Sequence, residues 1–204
     1  MTQRHTRFGP VEVVYDDAVL VPRPWTIEQS RWAAALLQDL PAGPVLELCA
    51  GAGQIGLVVA VETGRALVQV DVDPRACDFA RGNAERAGVG SDVRCGDLRR
   101  ALAGDERFPF VLADPPYVPS EDVDALSDDP KDAIDGGADG LDIARTCIEV
   151  AGAHLLDGGL VLLQLRSSEQ ADLLRPEAVD HGLEVAEVRT VGTSGALVLL
   201  RRTP

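Results

Sequence analysis

The stretch VLELCAGAGQIG, Val45 to Gly56, constrains this chain more than any other: a short run with three apolar residues in four, a turn with two closely spaced glycines, then an apolar segment. A glycine-rich turn between a buried strand and a helix lets a ligand approach the backbone closely, with the N–H groups of the helix's first turn facing it. The strand-then-helix alternation continues downstream. ALVQVD (Ala66 to Asp71) reads as a second strand, followed by a helix opening at Pro74 and closing at Ala87-Gly88. DVRC (Asp92 to Cys95) and FVLAD (Phe110 to Asp114) read as strands three and four. A helix is expected from about Leu141 to Leu155, a fifth strand in GLVLLQL after Gly158, and a helix from about Ser168 to Val179. Such alternation is the pattern of a parallel sheet built from βαβ units. LEVAEVRTV and GALVLLRR at the end are close enough in sequence to pair as an antiparallel hairpin. The expectation is an α/β fold: a mostly parallel seven-stranded sheet, a C-terminal antiparallel hairpin, and helices on both faces.

Ahead of the glycine turn, residues 1–40 read as an extension packed on a domain spanning 41–204. VEVVY (Val11 to Tyr15) and AVLV (Ala18 to Val21) are expected as short strands. A helix is expected from Thr26 to about Leu40, with Thr26 as its N-cap and Gln29 completing a capping box. With 204 residues, 46% hydrophobic and 25% charged, one folded domain with a sizeable core is expected. No apolar run approaches the roughly 20 residues that span a bilayer, so no membrane association and a cytoplasmic location are expected. The four cysteines, Cys49, Cys77, Cys95 and Cys147, have neither C-x-x-C spacing nor a nearby pair of histidines. They are expected as reduced, small core residues, with no metal site. His5, His154 and His181 carry no assigned role. The net charge of −14 disfavours a polyanionic substrate, because nucleic-acid binding normally rests on a basic surface.

Gly51, Gly53 and Gly56 spell G-x-G-x-x-G, which by itself is equally the spelling of a dinucleotide-binding loop. Asp71, 20 residues after Gly51, is placed to grip ribose hydroxyls in either reading. Two features separate the readings. Glu47 precedes the glycines, where a carboxylate repels a diphosphate and suits a cationic ligand. ADPPY, Ala113 to Tyr117, ends the fourth strand on the edge where such ligands sit. Taken singly, Glu47 is also an ordinary strand-end charge, Asp97 or Asp71 a helix-capping acid, and DPPY a rigid turn.

On these motifs the sequence resembles the class I S-adenosylmethionine (SAM)-dependent methyltransferases. Glu47, Cys49, Ala50, Gly51 and Gly53 fall on the family's cofactor loop, Asp71 and Val72 on its ribose-binding acid and the residue after it, Asp97 and Leu98 on the loop near the adenine, and Asp114, Pro115, Pro116 and Tyr117 on its (N/D)-P-P-(Y/F) motif. The resemblance implies a Rossmann-like fold, SAM as cofactor, and methylation of a planar amide or amino nitrogen. Such a nitrogen is a poor nucleophile because its lone pair is delocalised. An acceptor at Asp114 and the carbonyl of Pro115 would take its two hydrogens and aim it at the methyl donor, while Tyr117 walls the planar group.

Two stretches narrow the resemblance to the PrmC/HemK family, the protein N5-glutamine methyltransferases that act on peptide release factors. VLVPRPWT (Val19 to Thr26) is similar to its V-L-I-P-R-P-(E/D)-T segment. Asp129 to Leu165 is similar to its E-P-x-x-A-L-D-G-G-x-D-G-L segment and the helix and strand after it. The chain departs from that family in having Asp114 for Asn, Cys49 for Gly and Trp25 for an acid, and the family's N-terminal helical domain ahead of VPRP is expected to be absent. Asp114 and the non-glycine at 49 also occur in enzymes methylating exocyclic amino groups of nucleic-acid bases, so that reading and a small-molecule substrate stay open. A protein that keeps the fold without catalysis also stays open, though the intact DPPY opposes it. The acids Glu121, Asp122, Asp124, Asp128, Asp129, Asp132, Asp135, Asp139 and Asp142, set against the single base Lys131 in that span, favour a protein substrate over nucleic acid if the run is more than a solvated loop. A short eukaryotic branch of the family works with a small partner subunit, which makes such a partner an expectation.

Overall fold

The computed structural model of the chain describes residues 2–125, 129–192 and 195–203; Asp128 of the acidic run lies outside them. Two strands come first, β1 (Arg4–Phe8) and β2 (Val11–Tyr15), paired antiparallel across Gly9-Pro10. After helix α1 (Ile27–Leu36) the chain enters the alternation: β3 (Val45–Leu48), α2 (Gln54–Thr63), β4 (Leu67–Asp71), α3 (Pro74–Ala87), β5 (Ser91–Cys95) and β6 (Phe108–Ala113). Then come α4 (Lys131–Ile134), α5 (Asp142–His154), β7 (Leu155–Leu165), α6 (Ser168–Leu173), α7 (Arg175–Asp180), β8 (Leu183–Val191) and β9 (Gly195–Arg202). The main sheet has seven strands in the order β5-β4-β3-β6-β7-β9-β8. β5 to β7 are parallel, and β9 runs antiparallel between β7 and β8. Among the described residues, no helix is long and apolar enough to cross a membrane.

Strand alternation divides the core. Val45, Phe110, Leu112, Leu162, Leu197 and Leu199 face α1, α2, α3 and the β1–β2 hairpin, while Leu46, Leu48, Val111, Val161, Leu163, Val198 and Leu200 face α5 to α7. Glu47 and Gln69, at the same parity as Val45 and Leu67, are thereby turned inward beneath α2.

The sheet and its hairpin match the sequence-based expectation, and several local readings are corrected. Ala18–Val21 forms no strand: the segment turns at Asp16, whose carboxylate is 0% exposed and held by Arg75 and the Ala18 N–H. The strand missed was Arg4–Phe8, too polar to read as one. Thr26 is not a side-chain N-cap, because a short 3-10 turn, Pro24–Thr26, leads into α1 and its hydroxyl donates to the Arg23 carbonyl. Gln29 forms no capping box; its side chain is wholly buried and reaches the sheet. The single helix expected over 168–179 is two, separated at Leu174. Pro176 lacks an N–H and clashes with the carbonyl four residues earlier, so one continuous helix cannot form. Cys95 is exposed rather than a core residue.

Candidate active site

The four loops singled out in the sequence leave the carboxyl ends of the adjacent strands β5, β4, β3 and β6, the edge at which open α/β sheets bind ligands. Hydrogen bonds knit three of them together. The Ala50 N–H donates to the Val70 carbonyl (3.1 Å), the Gly96 N–H to the Asp71 carbonyl (2.9 Å), and the Gly51 N–H to Asp71 Oδ2 (2.7 Å). Asp71 Oδ1 accepts the Asp73 N–H at 2.9 Å. Burial raises the Asp71 pKa, and those N–H donors oppose the rise.

Within the glycine turn, Cys49 has φ +58°, Gly51 +55° and Gly53 +84°, a left-handed path that the two glycines take without strain. Cys49 takes it with a side chain, and its sulfur lies 3.9 Å from that of Cys147 on α5. That thiol neighbour, together with burial, raises the Cys49 pKa. Asn83 of α3, fully buried, donates to the Ala52 carbonyl and bonds both backbone groups of Val14, pinning turn and hairpin to one side chain.

Glu47 is 2% exposed. Its Oε1 accepts the Gly56 N–H (2.9 Å) and its Oε2 accepts Gln69 Nε2 (2.6 Å), while Gln69 also donates to the Gly53 carbonyl (3.3 Å). A Cβ on Gly56 would lie 2.4 Å from Glu47 Oε2. The third glycine of the spelling is therefore the seat of the carboxylate, as a packing residue. Burial pushes the Glu47 pKa up to about 7 against the pull of its two donors, with Asp114 and Asp71 adding a smaller push.

Asp97 is exposed and accepts the Arg99 N–H at the start of a turn, and Leu98 beside it is buried. Val72 is 71% exposed, an apolar side chain standing in solvent directly after Asp71.

Asp114 differs in kind from Glu47 and Asp71. Its side chain is half-buried at the end of β6, and no described donor reaches it. Burial alone pushes its pKa up to about 7. No described donor reaches the Pro115 carbonyl either. Tyr117 is half-buried beside Leu20, Val118, Val123 and Ile134. Burial and the neighbouring Asp114 carboxylate raise its phenol's pKa.

The segment after Tyr117 is knitted, not loose. Val118 exchanges backbone bonds with Ile134 and Gly136, Asp135 accepts from Ser120 Oγ and the Gly137 N–H, and Gln170 Nε2 donates to the Tyr117 carbonyl (3.0 Å). Gly140 is confined there, since a Cβ would lie 2.4 Å from that carbonyl. The run is accordingly less of a free negative field than its composition implies. Five of its described acids have basic partners: Asp122 with Arg166, Asp124 with Lys131, Asp129 with Arg23, and Asp139 and Asp142 with Arg145.

Sequence reasoning missed Arg23, Gln29, Gln69, Asn83 and Gln170. The available signal was a polar residue at a position that patterning makes apolar: Gln69 inside a strand, Gln29 on the buried stripe of α1 with Ala33.

Fold and edge together define a Rossmann-like α/β protein, and comparison with known sequences places it among the methyltransferases. Residues 30–128 match the family described as Methyltransferase small domain. The chain is 34% identical over 167 residues to the release factor glutamine methyltransferase of Geobacter sulfurreducens, covering 78% of this chain and 57% of that protein. It is 36% identical over 178 residues to the ribosomal protein uL3 glutamine methyltransferase of Bradyrhizobium diazoefficiens, covering 79% of this chain and 56% of that protein. It thus spans little more than half the length of these relatives. In fold it is similar to a methyltransferase from Pyrococcus furiosus, with TM-score 0.71 at 21% identity, covering 96% of this chain and 91% of that one. The chain belongs to the class I SAM-dependent methyltransferase family, and its relatives include glutamine methyltransferases of the PrmC/HemK kind.

Proposed function

We propose that this protein is a SAM-dependent N-methyltransferase acting in the cytoplasm on the side-chain amide of a glutamine in a protein. The observation that carries the reading is the pair of acceptors without a donor among the described residues, the Asp114 carboxylate and the Pro115 carbonyl, on the edge that also bears the glycine turn. An amide NH2 has two hydrogens to donate, and these two acceptors match them.

The edge fits SAM. Asp71 and Asp114 both act electrostatically on Glu47, and no Lys or Arg among the described residues bonds to any of the three. Their combined field favours a cation and disfavours a diphosphate. Asp71 would hold the ribose hydroxyls through the remaining lone pairs of its two oxygens, with Val72 and Leu98 beside the base, Asp97 at its amino edge, and Cys49 to Gly53 beneath the donor. Glu47 acts indirectly, since it is buried beneath the turn; it fixes the turn and contributes charge. When bound, SAM supplies an electrophilic methyl group. Asp114 and Pro115 hold the nitrogen in line by accepting both its hydrogens, which favours the positive charge developing there. Tyr117 confines the planar group, and Pro115 and Pro116, having no N–H, leave the turn free of a competing ladder. Asp114, with a pKa of about 7 and no partner, is also placed to take a proton after transfer.

The names of the sequence relatives support a protein glutamine as substrate. Asp114, where those families carry Asn, and the internal pairing of the acidic run favour the second reading, an exocyclic amino group of a nucleic-acid base. Incubation with radiolabelled SAM and host lysate, split into nuclease- and protease-treated samples, separates the two. Label that survives nuclease and is lost to protease is the expected result; the reverse supports the base reading, and no label in either sample contradicts the activity.

A further inference from the structure

We propose that residues 20–29 form a brace that positions the Asp114–Tyr117 turn from both of its ends, with Gln29 and Arg23 as the positioning residues. In its catalytic consequence the proposal rests on the methyltransferase reading above. The turn needs such a brace because Pro115 and Pro116 offer no N–H, so no backbone ladder of its own fixes where Asp114 and the Pro115 carbonyl stand.

Gln29 holds the near end. It is 0% exposed, and its Nε2 donates at 3.0 Å to the Ala113 carbonyl and at 3.0 Å to the Leu162 carbonyl. Ala113 belongs to the peptide that leads into Asp114, and Leu162 to the neighbouring strand, so one amide ties the exit of β6 to β7. Its Oε1 is buried without a partner. Leaving a buried acceptor unpaired is costly, and a leucine would fill the same space without that cost. What leucine lacks is the pair of donated bonds at the root of the turn.

Arg23 and Leu20 support the far end, alongside the Gln170 amide that donates to the Tyr117 carbonyl. The Arg23 guanidinium pairs with both carboxylate oxygens of Asp129, whose side chain is only 13% exposed, and stacks 5.7 Å from the Trp25 ring. Leu20 packs with Tyr117 on the cluster of Val118, Val123 and Ile134. Arg23 and Asp129 both lie close enough to Tyr117 to act on its phenol. The segment VLVPRPWT, whose arginine faces the acid that opens the DPKDAIDGG segment, thus acquires a role: the two stretches that carry the PrmC/HemK resemblance meet across the substrate turn.

The test compares Gln29→Leu, Arg23→Met and the charge-reversed pair Arg23→Asp with Asp129→Arg, using Arg31→Met on the outer face of α1 as control. Three quantities are measured: turnover of radiolabelled SAM onto the protein of nuclease-treated host lysate, the SAM dissociation constant by calorimetry, and amide hydrogen exchange over residues 113–120. For both single variants turnover is expected to fall about tenfold or more, since small misplacement of a reacting group is expensive, with SAM affinity within about twofold and exchange in 113–120 accelerated. The reversed pair recovers part of the Arg23→Met loss, and Arg31→Met changes nothing. Wild-type turnover and exchange in both single variants would overturn the brace, as would parallel losses of SAM affinity, turnover and melting temperature. Failure of the wild-type protein to bind SAM would instead count against the methyltransferase reading, leaving the exchange data alone to judge the brace.

Discussion

The carboxyl edge of the sheet has two halves that treat their carboxylates in opposite ways. On the β3–β4 side, Glu47 and Asp71 each have both oxygens held by donors from their own chain: Gly56 and Gln69 for one, Gly51 and Asp73 for the other. On the β6 side, Asp114 meets no described donor, and the Pro115 carbonyl beside it is equally free. The difference separates the building of a surface from its use. Carboxylates that shape the glycine turn need internal partners, because a buried unsatisfied charge is too costly to keep. A carboxylate meant for a substrate's hydrogens must be left without them, and Asp114 bears the resulting desolvation as a pKa raised to about 7.

The largest effect expected from breaking this contrast is at Asp114. Asp114→Ala should lower methyl transfer by about a hundredfold or more, the scale seen when a transition-state hydrogen-bond partner is removed, while SAM affinity measured by calorimetry stays within a few fold. Equal loss of both would move Asp114 to the cofactor half.

Next is the pH dependence set by Glu47. Its folded pKa of about 7 lies above its usual 4.5, so the stability linked to its protonated form is fully present below pH 4.5 and is lost as pH rises through 7. That loss is about 3 kcal/mol. Glu106, held down to about 2 by Arg94, contributes in the opposite sense, its stabilisation being lost as pH falls through 2. Denaturant unfolding of the wild-type protein should therefore show higher stability at pH 5 than at pH 8, and Glu47→Gln should reduce that slope, leaving the part set by Asp114, whose carboxyl burial also raises to about 7.

Smaller again is Asp71→Ala. It should weaken SAM binding by about tenfold, the worth of a charged hydrogen bond, with turnover at saturating SAM reduced much less. A turnover defect that saturation fails to rescue would erase the distinction between the halves.

The cofactor half was the legible one. Its glycines, Glu47, Asp71 and Asp97 lie within about fifty residues at spacings fixed by the strand–turn–helix unit, so local patterning reveals them, and the seven-stranded sheet emerges from the same alternation. Glu47 could be read as an acid near the turn, but not as one whose oxygens are consumed by Gln69 and by the N–H of Gly56, because strand register decides that. The substrate half was legible only at DPPY. Gln29 and Arg23 act on residues 84 and 106 positions away, and no periodicity carries contacts of that range. The acidic run misled for the same reason: Arg23, Arg145 and Arg166, which neutralise much of it, lie outside the stretch between Glu121 and Asp142 or reach back into it across space.

The claim on which both halves depend is that this edge is built for a cationic methyl donor rather than a diphosphate. Calorimetric titration of the purified protein with SAM and, separately, with NADH tests it directly. The account predicts saturable SAM binding at one site per chain that tightens as pH rises through about 7, as Glu47 and Asp114 ionise, with no NADH binding. Saturable NADH binding with no SAM binding would contradict it.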